Sequence, residues 1–305
     1  MIRNPPKKDF TGLKPENTTK SNVENLAVGF FDGVHLGHQR ILRNADAVLT
    51  FRNHPLSVLN PGCTPSLIMD PDDRIGLLKV IGANKKRRVK ALKFTRRYAS
   101  MPPSDFACYL RKEFPDLSCI HCGANWRFGA EGKGTPQTLR KLGFNVKVFR
   151  YAKFDGAPIS STRIRAALAD GDIKSVNAML GRPYSSVGNV VKGKGMGRKI
   201  GFPTINLRMN GALNLKYGVY AVNTPYGSGI ANYGIAPTMG ENAWHSPIME
   251  VHLLDKDLSG HFPEEGAATV EMVGYIRPER KFRNQNELAV QISKDISAAR
   301  GLMDM

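Results

Sequence analysis

Cysteine is scarce in this chain, acidic residues are outnumbered, and long apolar runs are missing. Four cysteines among 305 residues, Cys63, Cys108, Cys119 and Cys122, are too few and too unevenly spaced for a disulfide framework. Cys119-Ile120-His121-Cys122 has metal-like spacing, but without a second pair it is expected to supply buried thiols rather than a zinc site. The longest apolar stretches, such as Ile164 to Leu168, are short and interrupted, so no membrane span is expected. The opening residues, Met1-Ile2-Arg3-Asn4-Pro5-Pro6-Lys7-Lys8, carry charge and prolines where a signal peptide needs an apolar core. A cytoplasmic protein is expected.

The acidic deficit, 26 Asp and Glu against 44 Lys and Arg, gives a formal net charge of +18 and invites a nucleic-acid reading. The densest basic runs are Lys85-Lys86-Arg87-Arg88 and Arg96-Arg97, but the basic residues are otherwise spread along the chain with no aromatic-spaced basic repeat. A solvated basic surface that attracts anionic nucleotides is the expectation, with no nucleic-acid or membrane partner. A nucleotide- or RNA-binding protein without catalysis is the alternative that charge alone leaves open.

What is present is ordinary globular material, 41% hydrophobic and 23% charged, in a chain long enough for two cores. From residue 26 to about 180, strand-like runs (Leu26–Phe31, Ala47–Phe51, Val89–Lys93, Ser118–Cys122, Asn145–Phe149) alternate with helical patterns at Asp73–Ile81, Ser104–Phe114, Thr135–Leu142 and Thr162–Leu168. That alternation predicts a parallel sheet with helices on both faces, binding its ligand beyond the carboxyl ends of the strands. After Gly181-Arg182-Pro183 the runs become short, β-prone and separated by Gly, Pro and Asn: Ser185–Val191, Thr204–Leu207, Gly218–Val222, Ile230–Gly234, Met249–Leu254 and Thr269–Tyr275. An antiparallel sandwich or small barrel is predicted, closed by a helix over Asn286–Gly301. The expected domains are 1–182, whose first 22 residues are a disorder candidate, and 183–305.

Three constellations carry chemistry. Val28-Gly-Phe-Phe-Asp-Gly-Val-His-Leu-Gly-His38 runs off a strand, turns, and delivers His35 and His38 on one face of an opening helix. Unpaired N–H groups and two imidazoles there suit a triphosphate, with Gly29, Phe31, Asp32, Gly33 and Gly37 as candidate phosphate-binding positions. Ile159-Ser160-Ser161-Thr162-Arg163-Ile164-Arg165 sets three hydroxyls at a helix start and Arg165 one turn inside, as a phosphate clamp or as plain N-capping. In Gly193-Lys-Gly-Met-Gly-Arg-Lys-Ile-Gly-Phe-Pro-Thr-Ile-Asn206, Gly193, Gly195 and Gly197 expose backbone N–H groups, and Arg198 with Pro203 completes a candidate ATP loop. It lacks the Gly-Lys-Ser/Thr ending of a P-loop. Thr204 and Asn206, alternate residues of a strand, suit a Mg²⁺ that keeps most of its waters. Glu250, opposite in face to Met249 and Val251, is a candidate general base or an ordinary solvent-facing glutamate.

Taken together and in this order, these motifs resemble the bacterial bifunctional riboflavin kinase/FMN adenylyltransferase (FAD synthetase) family over residues 25–297, and Asn232 to Thr238, Glu250 and Ile276-Arg-Pro-Glu279 fall where that family has equivalents. The resemblance implies a Rossmann-like nucleotidyltransferase domain followed by a β-barrel riboflavin kinase domain. It implies ATP, riboflavin, FMN and FAD as ligands, Mg²⁺ as cofactor, Thr204 and Asn206 as metal ligands, and Glu250 as the kinase base. His35, His38 and Arg165 would stabilise adenylyl transfer, and Asn125 and Arg277 would contact flavin. Two features depart from the family. Asn53 in Thr50-Phe-Arg-Asn-His-Pro55 stands where a proline is expected, and only Gln39 to Asp46 separate the second histidine from the next strand. A parallel crossover normally needs about a dozen residues or more, so this one is expected to close tightly. A chain that retains only the kinase is the alternative.

Overall fold

The computed structural model describes residues 23–82, 86–193, 197, 201–210, 213–235, 247–254 and 265–304. The disorder expectation for residues 1–22 lies outside them, as do Lys85, Gly195, Arg198 and Ala236 to Thr238. The first module is built on five parallel strands, β1 (Asn25–Val28), β2 (Ala47–Phe51), β3 (Arg88–Leu92), β4 (Cys119–Gly123) and β5 (Val146–Phe149), in the order β3-β2-β1-β4-β5. Side chains alternate across it. Leu26, Val28, Ala47 and Leu49 enter one core with Phe106, Ala107 and Leu110 of α5 (Pro103–Glu113) and Leu139 of α6 (Pro136–Lys141). Ala27 and Val48 enter the other, with Ile41 and Leu42 of α1 (Leu36–Leu42) and Leu78 of α3 (Pro71–Val80). Helices therefore cover both faces, as a doubly apolar parallel sheet requires, and two single-turn helices, α2 (Leu56–Leu59) and α4 (Arg96–Ala99), precede α3 and α5.

The short crossover closes. Leu26, Ala27 and Val28 pair in parallel register with Ala47, Val48 and Leu49. The 7-residue α1 is about 10 Å long at ~1.5 Å per residue, enough to return beside a four-residue strand. Arg87 holds it there. This side chain, 4% exposed, donates to Leu42 O and Ala45 O behind α1 and to Leu78 O and Ile81 O at the end of α3. The expectation of a wholly solvated basic run fails at this residue, because a guanidinium satisfies the unpaired carbonyls of two helix C-termini at once.

After β5 comes a hairpin, β6 (Lys153–Phe154) and β7 (Ala157–Pro158), turning on Asp155 and Gly156, both at positive φ. Helices α7 (Ser161–Asp170) and α8 (Ile173–Leu180) follow, each ended by a left-handed glycine, Gly171 and Gly181. Their apolar faces share a core with the barrel.

The barrel closes as β10-β11-β12-β9-β8-β13, from β8 (Tyr184–Val191), β9 (Ile205–Met209), β10 (Gly218–Thr224), β11 (Gly227–Ile235), β12 (Pro247–Leu253) and β13 (Ala267–Arg277). Alternate residues such as Leu207, Tyr220, Tyr233, Val251 and Val270 fill its interior. Val219, Ala221 and Ile230 point the other way and are covered by Ala299, Ile292 and Ile296 of the C-terminal helix α9 (Gln285–Met303).

Candidate active sites

The sheet of the first module reverses its strand order between β1 and β4, and the crevice beyond their carboxyl ends is where such sheets bind ligands. The histidine turn leaves β1 there. Asn125, exposed, follows β4 on the same edge, within the turn after Gly123. The turn itself is strained: Phe31 and Val34 have φ of 58° and 42°, unusual for non-glycine residues and most of all for a β-branched one. Gly33, at φ 78°, also leaves room for Ile68, whose Cδ1 would lie 2.9 Å from an added Cβ.

His35 caps α1: its Nδ1 accepts from His38 N at 3.3 Å. One N–H expected to await phosphate is thus already taken by the imidazole. Because Nδ1 accepts, the neutral ring carries its proton on Nε2, which remains to donate. The two rings stack with centroids 3.6 Å apart, and Gly37 makes this possible, since a Cβ there would lie 3.0 Å from the His35 ring. Burial lowers His35 to about 4, helped by the Arg182 charge against a backbone hydrogen bond that raises it. Burial, then the neighbouring His35 and Arg74, pushes His38 well below its ordinary value. Both are therefore neutral at physiological pH, hydrogen-bonding groups and not standing cations. His38 Nδ1 is buried without a partner.

Asp32, 2% exposed, accepts from Ile68 N and from Arg165 Nη2, the latter at 2.6 Å. Arg165 also donates from Nε to Ser66 O, and Ser161 Oγ donates to Asp32 O. Ser160 is the N-cap of α7, accepting from Arg163 N, and Thr162 is exposed beside it. Ser160 thus caps the helix, while Ser161 and Arg165 tie it to the histidine turn.

Sequence patterns left three neighbours unassigned. Arg74, fully buried, lies 4.0 Å over the Phe30 ring and donates to Phe30 O, Phe51 O and Arg52 O, joining the ends of β1 and β2. His54 packs edge-on against Phe30, and burial and the charge of Arg165 lower its pKa. Arg182 reaches the turn from beyond α8. Of these only His54 had a signal, its place in the Thr50–Pro55 motif. Asn53, in the proline's place, takes a role proline could not: its amide accepts from Phe94 N and donates to Phe94 O, fastening the end of β2 to the segment after β3.

In the barrel, Ile205 and Leu207 point inward, so Thr204 and Asn206 face out, half-buried. Cross-strand pairing sets Glu250 opposite Asn206 on one side and opposite Asn232 on the other. Asn232 Nδ2 donates to Glu279 Oε1 at 3.1 Å. Gly193 lies against Asn206, where a Cβ would come within 1.9 Å of Nδ2. Gly197 packs on Phe202, whose N donates to Gly197 O, and Pro203 O accepts from His252 Nδ1 at 2.9 Å. Arg277 is engaged elsewhere than expected: Nε and Nη2 donate to Asp295 of α9, a carboxylate 3% exposed, and Nη1 donates to Pro278 O. Gly195 and Arg198 lie outside the described residues.

Two family matches divide the chain along these lines, FAD synthetase over residues 17–163 and riboflavin kinase over residues 180–303. A bifunctional riboflavin kinase/FMN adenylyltransferase of Bacillus subtilis is 36% identical over 88% of this chain and 89% of its own length. The protein of the same description from Haemophilus influenzae is 34% identical over 92% and 94%. The chain belongs to this bifunctional family. A crystal structure described as a macrolide-efflux protein from Streptococcus pneumoniae shares the fold, with a TM-score of 0.78, 27% identity, and coverage of 92% of this chain and 95% of that one. Among the described residues no helix is long and apolar enough to cross a membrane.

ATP-dependent transfers of the family's kind imply a divalent cation. The residues fit one: Thr204, Asn206 and Glu250 offer hard oxygen donors, and the glycine at 193 lets the Asn206 amide lie where a side chain would collide with it. Cys119 and Cys122 offer no such site. Three residues apart on β4, they point to opposite faces, and no group of three His, Cys, Asp or Glu that could hold a metal occurs among the described residues.

Proposed function

We propose that this chain makes FAD in two transfers, one per module, with the boundary between residues 182 and 183. In the barrel, ATP phosphorylates the 5′-hydroxyl of riboflavin. Glu250 accepts the hydroxyl proton as its oxygen attacks the γ-phosphorus, and the β–γ bridging bond breaks to release ADP. Thr204 and Asn206 would hold Mg²⁺, which when bound offsets charge on the phosphates. Gly193, Gly195, Gly197, Arg198 and Pro203 would bind the ATP phosphates. Arg277, through Asp295, anchors α9 and orders the flavin side of the barrel.

In the first module, a phosphate oxygen of FMN attacks the α-phosphorus of a second ATP and pyrophosphate leaves. No covalent protein intermediate is needed, only positioning and charge stabilisation. His35 and His38 donate to the oxygens that gain charge, Gly29, Phe31, Asp32, Gly33 and Gly37 shape the phosphate turn, and Ser160, Ser161, Thr162 and Arg165 close it from α7. Asn125 contacts FMN across the crevice.

One observation carries the assignment of two separate reactions: Glu250 stands opposite Asn206 on the outer face of a closed barrel, while His35 and His38 stand at the carboxyl edge of a different sheet. The cytoplasm is the compartment we propose, consistent with ATP as substrate and with four unpaired cysteines. The test is incubation of the purified chain with riboflavin, ATP and Mg²⁺, followed by separation of the flavins. FMN and then FAD are expected. FMN alone would leave only the kinase standing, and no conversion would refute both assignments.

A further inference from the structure

The backbone of the histidine turn is held from the far end of its own module. Arg182, two residues past α8, donates from Nη2 to Gly33 O at 2.9 Å and from Nη1 to Val34 O at 3.3 Å and Leu180 O at 3.4 Å. Gln39 of α1 answers from the other side, donating from Nε2 to the same two carbonyls, Leu180 O at 2.7 Å and Val34 O at 3.1 Å. Gly181, between them at φ 69°, admits Leu36, whose Cδ2 would lie 2.4 Å from a Cβ. These contacts surround the strained part of the turn. Left-handed backbone at a residue such as Val34 costs about 1–3 kcal/mol and persists only where its surroundings over-determine it. The carbonyls that Arg182 grips belong to Val34 and to the residue before it, and His35 comes next.

We propose that Arg182 is a positioning residue for adenylyl transfer: from the threshold of the kinase module it holds Gly33 and Val34 in the conformation that presents His35 and His38. The inference rests on the assignment of those histidines to the transfer. Burial lowers the Arg182 guanidinium only to about 10, so it remains a cation at neutral pH, and its charge helps to keep His35 neutral. A lysine could not replace it, since one ammonium cannot reproduce a fork that spans three carbonyls.

The test is Arg182→Met and Arg182→Lys in the full chain, assayed separately for FAD formation from FMN and for FMN formation from riboflavin. Expected is a roughly 10- to 100-fold fall in kcat for FAD formation, with KM for ATP within about threefold and the kinase rate within about twofold, because the turn is misplaced while the nucleotide still binds. Gln39→Ala, which removes the opposing grip without removing a charge, should lower the same kcat less. Unchanged FAD formation, or an equal fall in both reactions as from general destabilisation, would overturn the proposal. If the wild-type chain forms no FAD, the assignment of the site is what has failed. The role of Arg182 is then decided by the imidazole NMR signals of His35 and His38. Movement of both in Arg182→Met with His252 unmoved supports it, and no movement refutes it.

Discussion

Arg165 Nη2 donates to Asp32 Oδ2 at 2.6 Å across 133 residues of sequence, and this ion pair fastens α7 to the turn that carries the histidines. Asp32 is nearly inaccessible and Arg165 largely so, with side-chain exposures of 2% and 15%. Losing one partner strands a buried charge, which costs roughly 3–5 kcal/mol. Arg165→Met should therefore lower both the rate of FAD formation and the denaturant midpoint of the first module. Asp32→Asn should do the same by a similar amount, and the double variant should be no worse than either single one. Additive losses would show that the two side chains act separately.

Arg87 makes the shortened crossover tenable, so its removal should be felt as stability. Arg87→Met leaves four carbonyls without their donor. An unsatisfied buried acceptor costs about 1–3 kcal/mol, and partial relaxation toward water should bring the total to about 3 kcal/mol or more. Urea unfolding measures this. A change within about 0.5 kcal/mol, the range of ordinary surface substitutions, would contradict the role given to Arg87.

Acid should destabilise the first module earlier than carboxylate titration alone predicts. His35 has a folded-state pKa of about 4 against 6.5 for the unfolded chain, and burial depresses His38 in the same direction. The unfolded state then binds more protons, so stability falls as pH drops through 6.5 and continues to fall to about 4; above 6.5 the term vanishes. Thermal melts between those limits should flatten in His35→Asn. An equal slope in wild type and variant would mean that His35 is not buried in neutral form.

The parallel sheet and the barrel were both legible because their strands alternate in hydrophobicity or run continuously apolar between Gly, Pro and Asn. The facing of Glu250, opposite to Met249 and Val251, followed from that same alternation, but its register against Asn206 did not. Sequence could not show which cations are internal. Arg74 follows three aspartates and Arg87 and Arg182 sit in basic or neutral surroundings, all of which read as surface, yet each donates to main-chain carbonyls at strand or helix ends, partners that have no side-chain signature. The Arg277–Asp295 pair was not legible, because Asp295 belongs to a helix 18 residues further on. Helix α8 went unnoticed, although Ile173, Val176, Met179 and Leu180 fall on one face.

The central claim is that two transfers occupy two independent sites on one chain. Its most direct measurement is the flavin product spectrum of two variants, Glu250→Ala and the double variant His35→Ala/His38→Ala, each given riboflavin or FMN with ATP and Mg²⁺. Glu250→Ala should leave riboflavin unconverted yet turn supplied FMN into FAD, and the histidine variant should form FMN and stop. Loss of both activities in either variant, despite an unchanged melting profile, would contradict the claim.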